Sequence, residues 1–361
     1  MKITIVGPYP PPYGGISVHI KRMKLFLEKH GVNVIIYNES NSDIVCEKNV
    51  RGMKYRYFLL KVPFLKTDII HFHSINKNVR MLLGFYKIFR KKIILTIHGD
   101  SLINQIKSSN IVERTILLKS LKKIDGIVCV NPLTKKQLIG YGMPEKKLHV
   151  IPAHINPIER LGDSEAIPKN VWEFINKNKS NFLISANGWI RRYNNEDLYG
   201  LDMIVELVKK LNERNIKVFV IFALLGKEQQ SKEEREYYEK LKQDINKYQL
   251  QDQIYIHEAT CTEFYPILKE SHLFVRPTNT DGFGVSIAEA LYFNIPAIAS
   301  DVCKRPDGTI LFKNRDNEDF FNKVVYVINN YQEVKKAVSN IQKVDNANNL
   351  FDLYSNLISY S

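Results

Sequence analysis

Short apolar runs rich in Ile and Val recur along this chain, each followed by a longer stretch with helical spacing, and the rhythm breaks only once. The first set of runs is 2–6, 32–37, 68–72, 92–97, 126–130 and 148–151. They lack the apolar–polar alternation of a strand with one wet face, so they read as parallel strands covered on both sides. Helical spacing fills 17–30, 79–89, 105–123 and 132–141. A second set of runs follows at 181–186, 217–222, 253–257, 272–275, 297–300 and 309–312, with helices expected at 201–214, 232–248, 262–268, 286–293 and 318–329. A βαβ rhythm of this kind builds a doubly wound parallel sheet, because each crossover helix must pack back on a sheet face. The fold class is therefore α/β, with two Rossmann-like domains. The stretch 156–180, with its Pro, Gly, Asn and Lys, reads as the connection between 1–155 and 181–340. Residues 341–361 read as a helical tail that could pack back on the first domain. The length of 361 residues agrees, since it exceeds what one ordinary core serves.

Charge divides the same way. Residues 1–155 hold 26 Lys and Arg against 9 Asp and Glu, whereas 156–361 hold 26 against 29. The basic excess belongs to one half and suggests a polyanionic partner for it, either an acidic membrane surface or nucleic acid. Cys46, Cys129, Cys261 and Cys303 are far apart and read as scattered thiols rather than a zinc site. The opening Met1-Lys-Ile-Thr-Ile-Val6 is too short for a signal segment, and no run approaches the ~18 apolar residues of a membrane span. A cytoplasmic protein is expected.

Ligands of open α/β sheets bind beyond the carboxyl ends of the strands, which selects four segments. The first is Gly7-Pro-Tyr-Pro-Pro-Pro-Tyr-Gly-Gly-Ile16. It lacks the Gly-x-Gly-x-x-Gly of a dinucleotide site, although Gly14 and Gly15 would let a ligand approach the backbone and Ser17 could cap the next helix. The second is His98-Gly-Asp-Ser101, and the third is Asn187-Gly-Trp-Ile-Arg-Arg192. The fourth runs from Arg276 through Thr278 to Asp281-Gly-Phe-Gly-Val-Ser-Ile-Ala-Glu289. There Gly282, Phe283 and Gly284 precede a helix start at Val285 and Ser286, whose free N–H groups and dipole suit an anion such as a nucleotide diphosphate. Spacing alone leaves open a capping box between Ser286 and Glu289 that needs no ligand.

The pattern Asp281-Gly-Phe-Gly-x-x-x-x-Glu289-Ala-Leu, followed by Asn294-Ile-Pro-Ala-Ile-Ala-Ser-Asp301, resembles the C-terminal signature of the family 4 retaining glycosyltransferases. Asp68-Ile-Ile-His-Phe-His73, Thr96-Ile-His-Gly99 and Val130-Asn-Pro-Leu-Thr-Lys are similar to that family's N-terminal landmarks. The resemblance implies the two-lobed GT-B fold and retaining transfer, without a metal, from a nucleotide diphosphate sugar, UDP- or GDP-linked. No other cofactor is implied. It also implies a saccharide acceptor of surface polysaccharide assembly. By the same resemblance Glu289 binds the donor ribose, Asp281 contacts the transferred sugar and His98 stands near it. His71 and His73 read as structural. Asp281 departs from the family's usual Glu, and Tyr199 stands where the family places a Lys that neutralises the diphosphate. Arg191, Arg192, Arg276 and Arg305 are the candidate replacements.

The basic first half fits a polyprenyl-pyrophosphate-linked acceptor on an anionic membrane, through 79–92 and 116–123. Two other classes stay in view. One is a nucleotide-sugar epimerase of the same fold. The other is a noncatalytic nucleic-acid binder, for which no motif is visible, so no nucleic-acid partner is expected.

Overall fold

The structure is a computed structural model that describes residues 1–11, 13–39, 47–259 and 262–359, without the side chain of Arg56. Cys46 and Cys261 lie outside the described residues. The chain divides into two compact units, Met1–Ile158 with Val344–Ser361, and Glu159–Lys343.

Unit 1 holds a seven-stranded sheet. Its strands are β1 (Lys2–Gly7), β2 (Asn33–Asn38), β3 (Val50–Gly52), β4 (Ile69–Phe72), β5 (Lys92–Ile97), β6 (Gly126–Cys129) and β7 (Leu148–Val150), in the order β3-β2-β1-β4-β5-β6-β7, all parallel. The strand order reverses between β1 and β4. Short β3 escaped the sequence reading because its three residues carry no apolar run.

Unit 2 holds β8 (Phe182–Gly188), a two-strand hairpin of β9 (Arg192–Tyr193) and β10 (Glu196–Asp197), β11 (Val218–Leu225), β12 (Ile254–Ala259), β13 (Leu273–Arg276), β14 (Ala297–Ser300) and β15 (Ile310–Phe312). Its main sheet is parallel in the order β12-β11-β8-β13-β14-β15, so the reversal falls between β8 and β13. Seven of the eight β11 residues are fully buried, as expected of a central strand covered on both faces.

Three expected elements differ. The stretch 156–180 is more than a connection: it contains helices Leu161–Glu165 and Lys169–Lys177, and the second buries Val171 and Ile175 with Leu183, Phe219 and Ile221 of unit 2. The helix expected at 79–89 splits into Lys77–Leu82 and Phe85–Phe89, where Gly84 lies so close to Ser120 that a Cβ would sit 2.7 Å from its backbone. The one expected at 105–123 splits into Ser101–Ser108 and Ile111–Lys123, because the Asn110 side chain accepts from the Glu113 N–H and starts a new helix.

The tail forms helix Asn346–Ser359 on unit 1. It buries Leu350, Leu353 and Tyr354 with Ile3, Ile20 and Val34. Among the described residues, no helix is long and apolar enough to cross a membrane.

Candidate functional site

In unit 2 the sequence-selected residues gather where the strand order reverses. Asn187 is the last residue but one of β8 and Arg276 ends β13, so the two strands deliver their side chains to the same crevice. Arg276 Nη1 donates to the Asn187 backbone oxygen at 3.2 Å and to its Oδ1 at 3.0 Å. The Asn187 amide in turn donates to Ser286 Oγ at 2.9 Å. Asp281 Oδ2 accepts from Arg276 Nε at 3.2 Å and from Arg305 Nη1 at 2.7 Å, and Oδ1 accepts the Gly282 N–H. Burial alone would raise the Asp281 carboxyl, but the two guanidinium groups outweigh it and hold the pKa down at about 2. The Arg276 guanidinium also lies over the Tyr199 ring, 5.0 Å from its centroid.

The arginines do not share one role. Arg305 is buried, with its side chain 1% exposed, and every nitrogen is used. Besides Asp281, it donates to the Ser300 backbone oxygen, Ser300 Oγ and Thr278 Oγ1. Thr278 is correspondingly 1% exposed. Thr278 and Arg305, both expected at the donor, thus lie buried, with Arg305 bonded to Asp281 and Thr278. Arg191 and Arg192 are exposed and lie elsewhere, pairing with Glu234 and Glu233. They do not join the cluster at Asp281, because the β9–β10 hairpin carries them onto helix Lys232–Lys247.

The helix after Asp281 spans Val285–Tyr292, and its N-cap is Gly284, not Ser286. The capping box read from spacing does not form: Gly284 supplies no side chain, and Ser286 sits inside the first turn bonded to Asn187. The leading amides are thus left without a side-chain acceptor. Gly284 is required here, with φ +89° and a Cβ position 3.1 Å from Arg305 Nη1. Gly282 is exposed, Phe283 and Val285 are half-buried, and Glu289 lies one turn in, 4% exposed.

Unit 1 carries a different set at its own reversal. His98 follows β5 and shares a hydrogen bond with His73, from Nε2 to Nδ1 at 2.9 Å. His19, on helix Gly15–Lys29, has its ring 5.2 Å from that of His73 and 5.5 Å from that of His98. His19 Nδ1 donates to the Ala153 oxygen at 2.6 Å. His71 is wholly buried between Tyr354 Oη and Thr96 Oγ1. Burial lowers all of them: His19 to about 4, His71 to about 3, and His73 and His98 well below the ordinary value. These rings are neutral at neutral pH, so they exchange hydrogen bonds without presenting charge. His73 therefore adjoins His98 directly, which its reading as a structural residue did not anticipate. Among the described residues, no group of three or more His, Cys, Asp or Glu is disposed to hold a metal ion.

Gly14 is the N-cap of helix Gly15–Lys29, and Ser17 sits three residues in, where its hydroxyl accepts the Gly14 N–H at 2.8 Å. The expected Ser17 cap is thus replaced by a bond in the opposite direction. Neither glycine has a positive φ, and a Cβ on Gly15 would meet nothing within 4 Å. Their want of a side chain answers no demand of the fold.

Asn187, Ser300 and His19 are members of these clusters that no sequence motif singles out individually. Asn187 had a usable signal, its place at a strand end. His19 had none, because its neighbours are 54 and 79 positions away along the chain.

Two family models match the chain: one described as Glycosyltransferase Family 4 over residues 13–158, and one described as Glycosyl transferases group 1 over residues 187–330. No curated protein sequence matches. Among solved structures, a glycosyltransferase from Rickettsia africae is similar with a TM-score of 0.71 and 16% identity, covering 100% of this chain and 99% of that one. Anabaena HepE in complex with UDP-glucose gives 0.67 and 14%, covering 100% of both chains. The lipopolysaccharide outer core galactosyltransferase WaaB gives 0.58 and 12%, covering 100% and 99%. At such identities these likenesses establish the fold, two Rossmann-like units of the GT-B type.

Proposed function

This chain belongs to the glycosyltransferases of group 1 and family 4, and from that premise we propose that it transfers a sugar, with retained anomeric configuration and without a metal ion, from a nucleoside diphosphate sugar to a saccharide hydroxyl. One observation carries the donor assignment. An uncapped helix start, a buried ionised Asp281 and the Arg276 guanidinium meet where the strand order of unit 2 reverses.

In transfer of this type, negative charge builds on the departing diphosphate as the sugar becomes oxocarbenium-like. Fixed N–H dipoles and a guanidinium aimed at that charge lower the barrier, since they need no reorganisation. The Val285 and Ser286 amides and Arg276 fill that role, with Gly282, Phe283 and Gly284 forming the approach. Glu289 holds the ribose hydroxyls, and Asp281 orients the cluster beside the sugar. His98, neutral and anchored on His73, bonds the sugar without adding a cation that would oppose oxocarbenium character. Gly14 and Gly15 leave room for the ligand.

The donor base is uridine or guanosine. The HepE complex holds UDP-glucose, which makes UDP-sugars the first donors to test. The Glu289→Ala variant should lose at least about a hundredfold in donor-dependent transfer while keeping its thermal transition. A wild-type transition unmoved by every nucleoside diphosphate would remove the donor assignment. An inverted product anomer by NMR would remove retention, and a rate abolished by EDTA would remove metal independence.

The acceptor reading is a polyprenyl-pyrophosphate-linked saccharide of surface polysaccharide assembly, met by a cytoplasmic enzyme at the inner face of the membrane. Unit 1 supports it with helix Tyr55–Lys61 and the turn Val62–Phe64, which lie against Phe85–Phe89 through the Tyr86 hydroxyl on the Leu59 oxygen. These segments expose Tyr57, Leu60, Phe64, Phe85 and Ile88, with Lys54, Lys61, Lys66 and Arg90 exposed on or beside them. Apolar side chains ringed by lysine suit an anionic bilayer. Co-sedimentation with vesicles should require anionic lipid and weaken with salt; binding indifferent to both would count against it.

A further inference from the structure

Of the charged groups at Asp281, only one cation is placed to answer a ligand. Arg276, Arg305 and Asp281 together leave one net positive charge. Arg305 cannot express it, being buried with every nitrogen engaged. Arg276 has Nε on Asp281 and Nη1 on Asn187, while its Nη2 makes no hydrogen bond among the described residues. The Tyr199 ring lies over the guanidinium, 5.0 Å from Cζ to its centroid, and adds to the hold of those bonds.

Tyr199 is itself fixed with some care. Its N–H and that of Gly200 both donate to Asp197 Oδ1, at 2.9 and 3.0 Å, and Asp197 is 1% exposed. Its ring lies on the end of β8, where a Cβ on Gly188 would sit 2.5 Å from Tyr199 Cγ. Gly200 turns the chain at φ +73°, with a Cβ position 2.3 Å from the Pro277 oxygen. Two glycines and a buried carboxylate thus seat one aromatic ring against one arginine. A lysine at 199 could not do this, because two cations about 5 Å apart repel, most strongly where water is excluded.

We infer that Arg276 is the group that takes the diphosphate of the donor, through Nη2, and that Tyr199 is its positioning residue. The inference rests on the donor reading above and names the partner of that site's charge. A planar guanidinium already held by Asp281, Asn187 and the Tyr199 ring loses less freedom for each further bond it forms. The ring touches no phosphate, so its contribution appears only in ligands that carry the charge.

The test compares UDP and GDP with uridine and guanosine, and their salt dependence, on the full chain by calorimetry and ligand-observed NMR. In Tyr199→Leu, affinity for the bound diphosphate should fall about tenfold and its salt dependence should flatten, with nucleoside affinity unchanged. Tyr199→Phe keeps a ring and should restore affinity to within about threefold of wild type. Arg276→Gln should reproduce the Leu variant's loss or exceed it. Should Tyr199→Leu simply misfold, nucleoside binding would fall as well, and the Phe and Gln variants decide alone. Unchanged diphosphate affinity in Arg276→Gln, or a Tyr199→Phe variant that loses diphosphate and nucleoside equally, overturns the inference and leaves the donor site standing. A wild-type chain that binds no nucleoside diphosphate overturns both.

Discussion

The two units share a strand order and differ in what they place at its reversal. Unit 1 sets neutral His19, His73 and His98 there, and unit 2 sets Arg276 and Asp281 with Arg305 beneath. The outer surfaces differ in the other sense. Unit 1 carries 26 Lys and Arg against 11 Asp and Glu, while unit 2 carries 26 against 27. Unit 1 thus sets neutral rings at its reversal point, with the buried cations Arg22 and Arg80 near enough to help keep His19 and His98 unprotonated, whereas unit 2 sets opposite charges in direct contact at its own. On the proposed function the shared topology offers a ligand the same place in each unit, and the side chains differ in what they suit: hydroxyls for uncharged imidazoles, a leaving anion for a guanidinium.

Acid should separate the units, and this is the largest effect expected. A histidine held neutral by burial takes up a proton on unfolding below its ordinary pKa. Stability therefore falls as the pH drops from about 6.5 towards the folded value. For His19 (about 4), His71 (about 3) and His154 (about 3), each should cost unit 1 on the order of 2 kcal/mol by about pH 5. Glu39 of unit 1, raised by burial, offsets part of this loss; in unit 2 only His257 and His272 among the described residues are lowered in the same way, and Asp197 runs in opposition. Burial, aided by Asp202, raises Asp197 to about 6, so that group favours the folded state as the pH falls from 6 towards 3.8. The Asp281 contribution is lost only between 3.8 and about 2. Trp172 and Trp189 both lie in unit 2, so tryptophan fluorescence reports that unit alone, whereas circular dichroism sees both. In urea at about pH 5, circular dichroism should show an early transition absent from fluorescence. Coincident curves would break the comparison.

Arg305→Met turns the same two signals around. It strips Asp281 of its shorter partner and leaves Thr278 and Ser300 without a donor in a site 1% exposed. Removing one member of a buried charged network costs about 3–5 kcal/mol. The fluorescence midpoint should fall at neutral pH while the unit 1 part of the dichroism signal stays in place. A variant as stable as wild type would mean that the Arg305 bonds do not hold unit 2 together.

Apolar runs fixed both sheets in the sequence because central parallel strands are buried on both faces, and only Val50–Gly52 and the β9–β10 hairpin escaped, being too short or too polar. The segment proposed for the donor, Asp281 to Glu289, stands out in the sequence because glycines before a helix have a physical reason to be there. What stayed hidden was the sorting of the arginines. Arg276 and Arg305 are 29 positions apart, and nothing in their neighbours says that one is saturated and the other has a nitrogen to spare. The capping box failed for a related reason. Ser286 is bonded to Asn187, 99 positions away, and a long-range partner outcompeted a local pattern. The tail was legible as a helix but not as the partner of His71, since a buried tyrosine hydroxyl leaves no periodic trace.

That last contact gives the finest test. Tyr354 and His71 are both fully buried, and the hydroxyl lies 2.6 Å from Nδ1 while Thr96 Oγ1 takes Nε2. Tyr354→Phe keeps the ring and its packing and removes only the oxygen, so one imidazole nitrogen is left without a partner where water does not reach. Such an orphan costs about 1–2 kcal/mol, less than the arginine network and less than the acid response. Its destination matters more than its size. Along the chain Tyr354 follows unit 2, yet in space it belongs to unit 1, so the loss should appear in the early dichroism transition and leave the fluorescence midpoint unmoved. Were the fluorescence midpoint to shift instead, helix Asn346–Ser359 would be stabilising the charged unit, and the division between a neutral and a charged reversal point would no longer map onto two separately stable bodies.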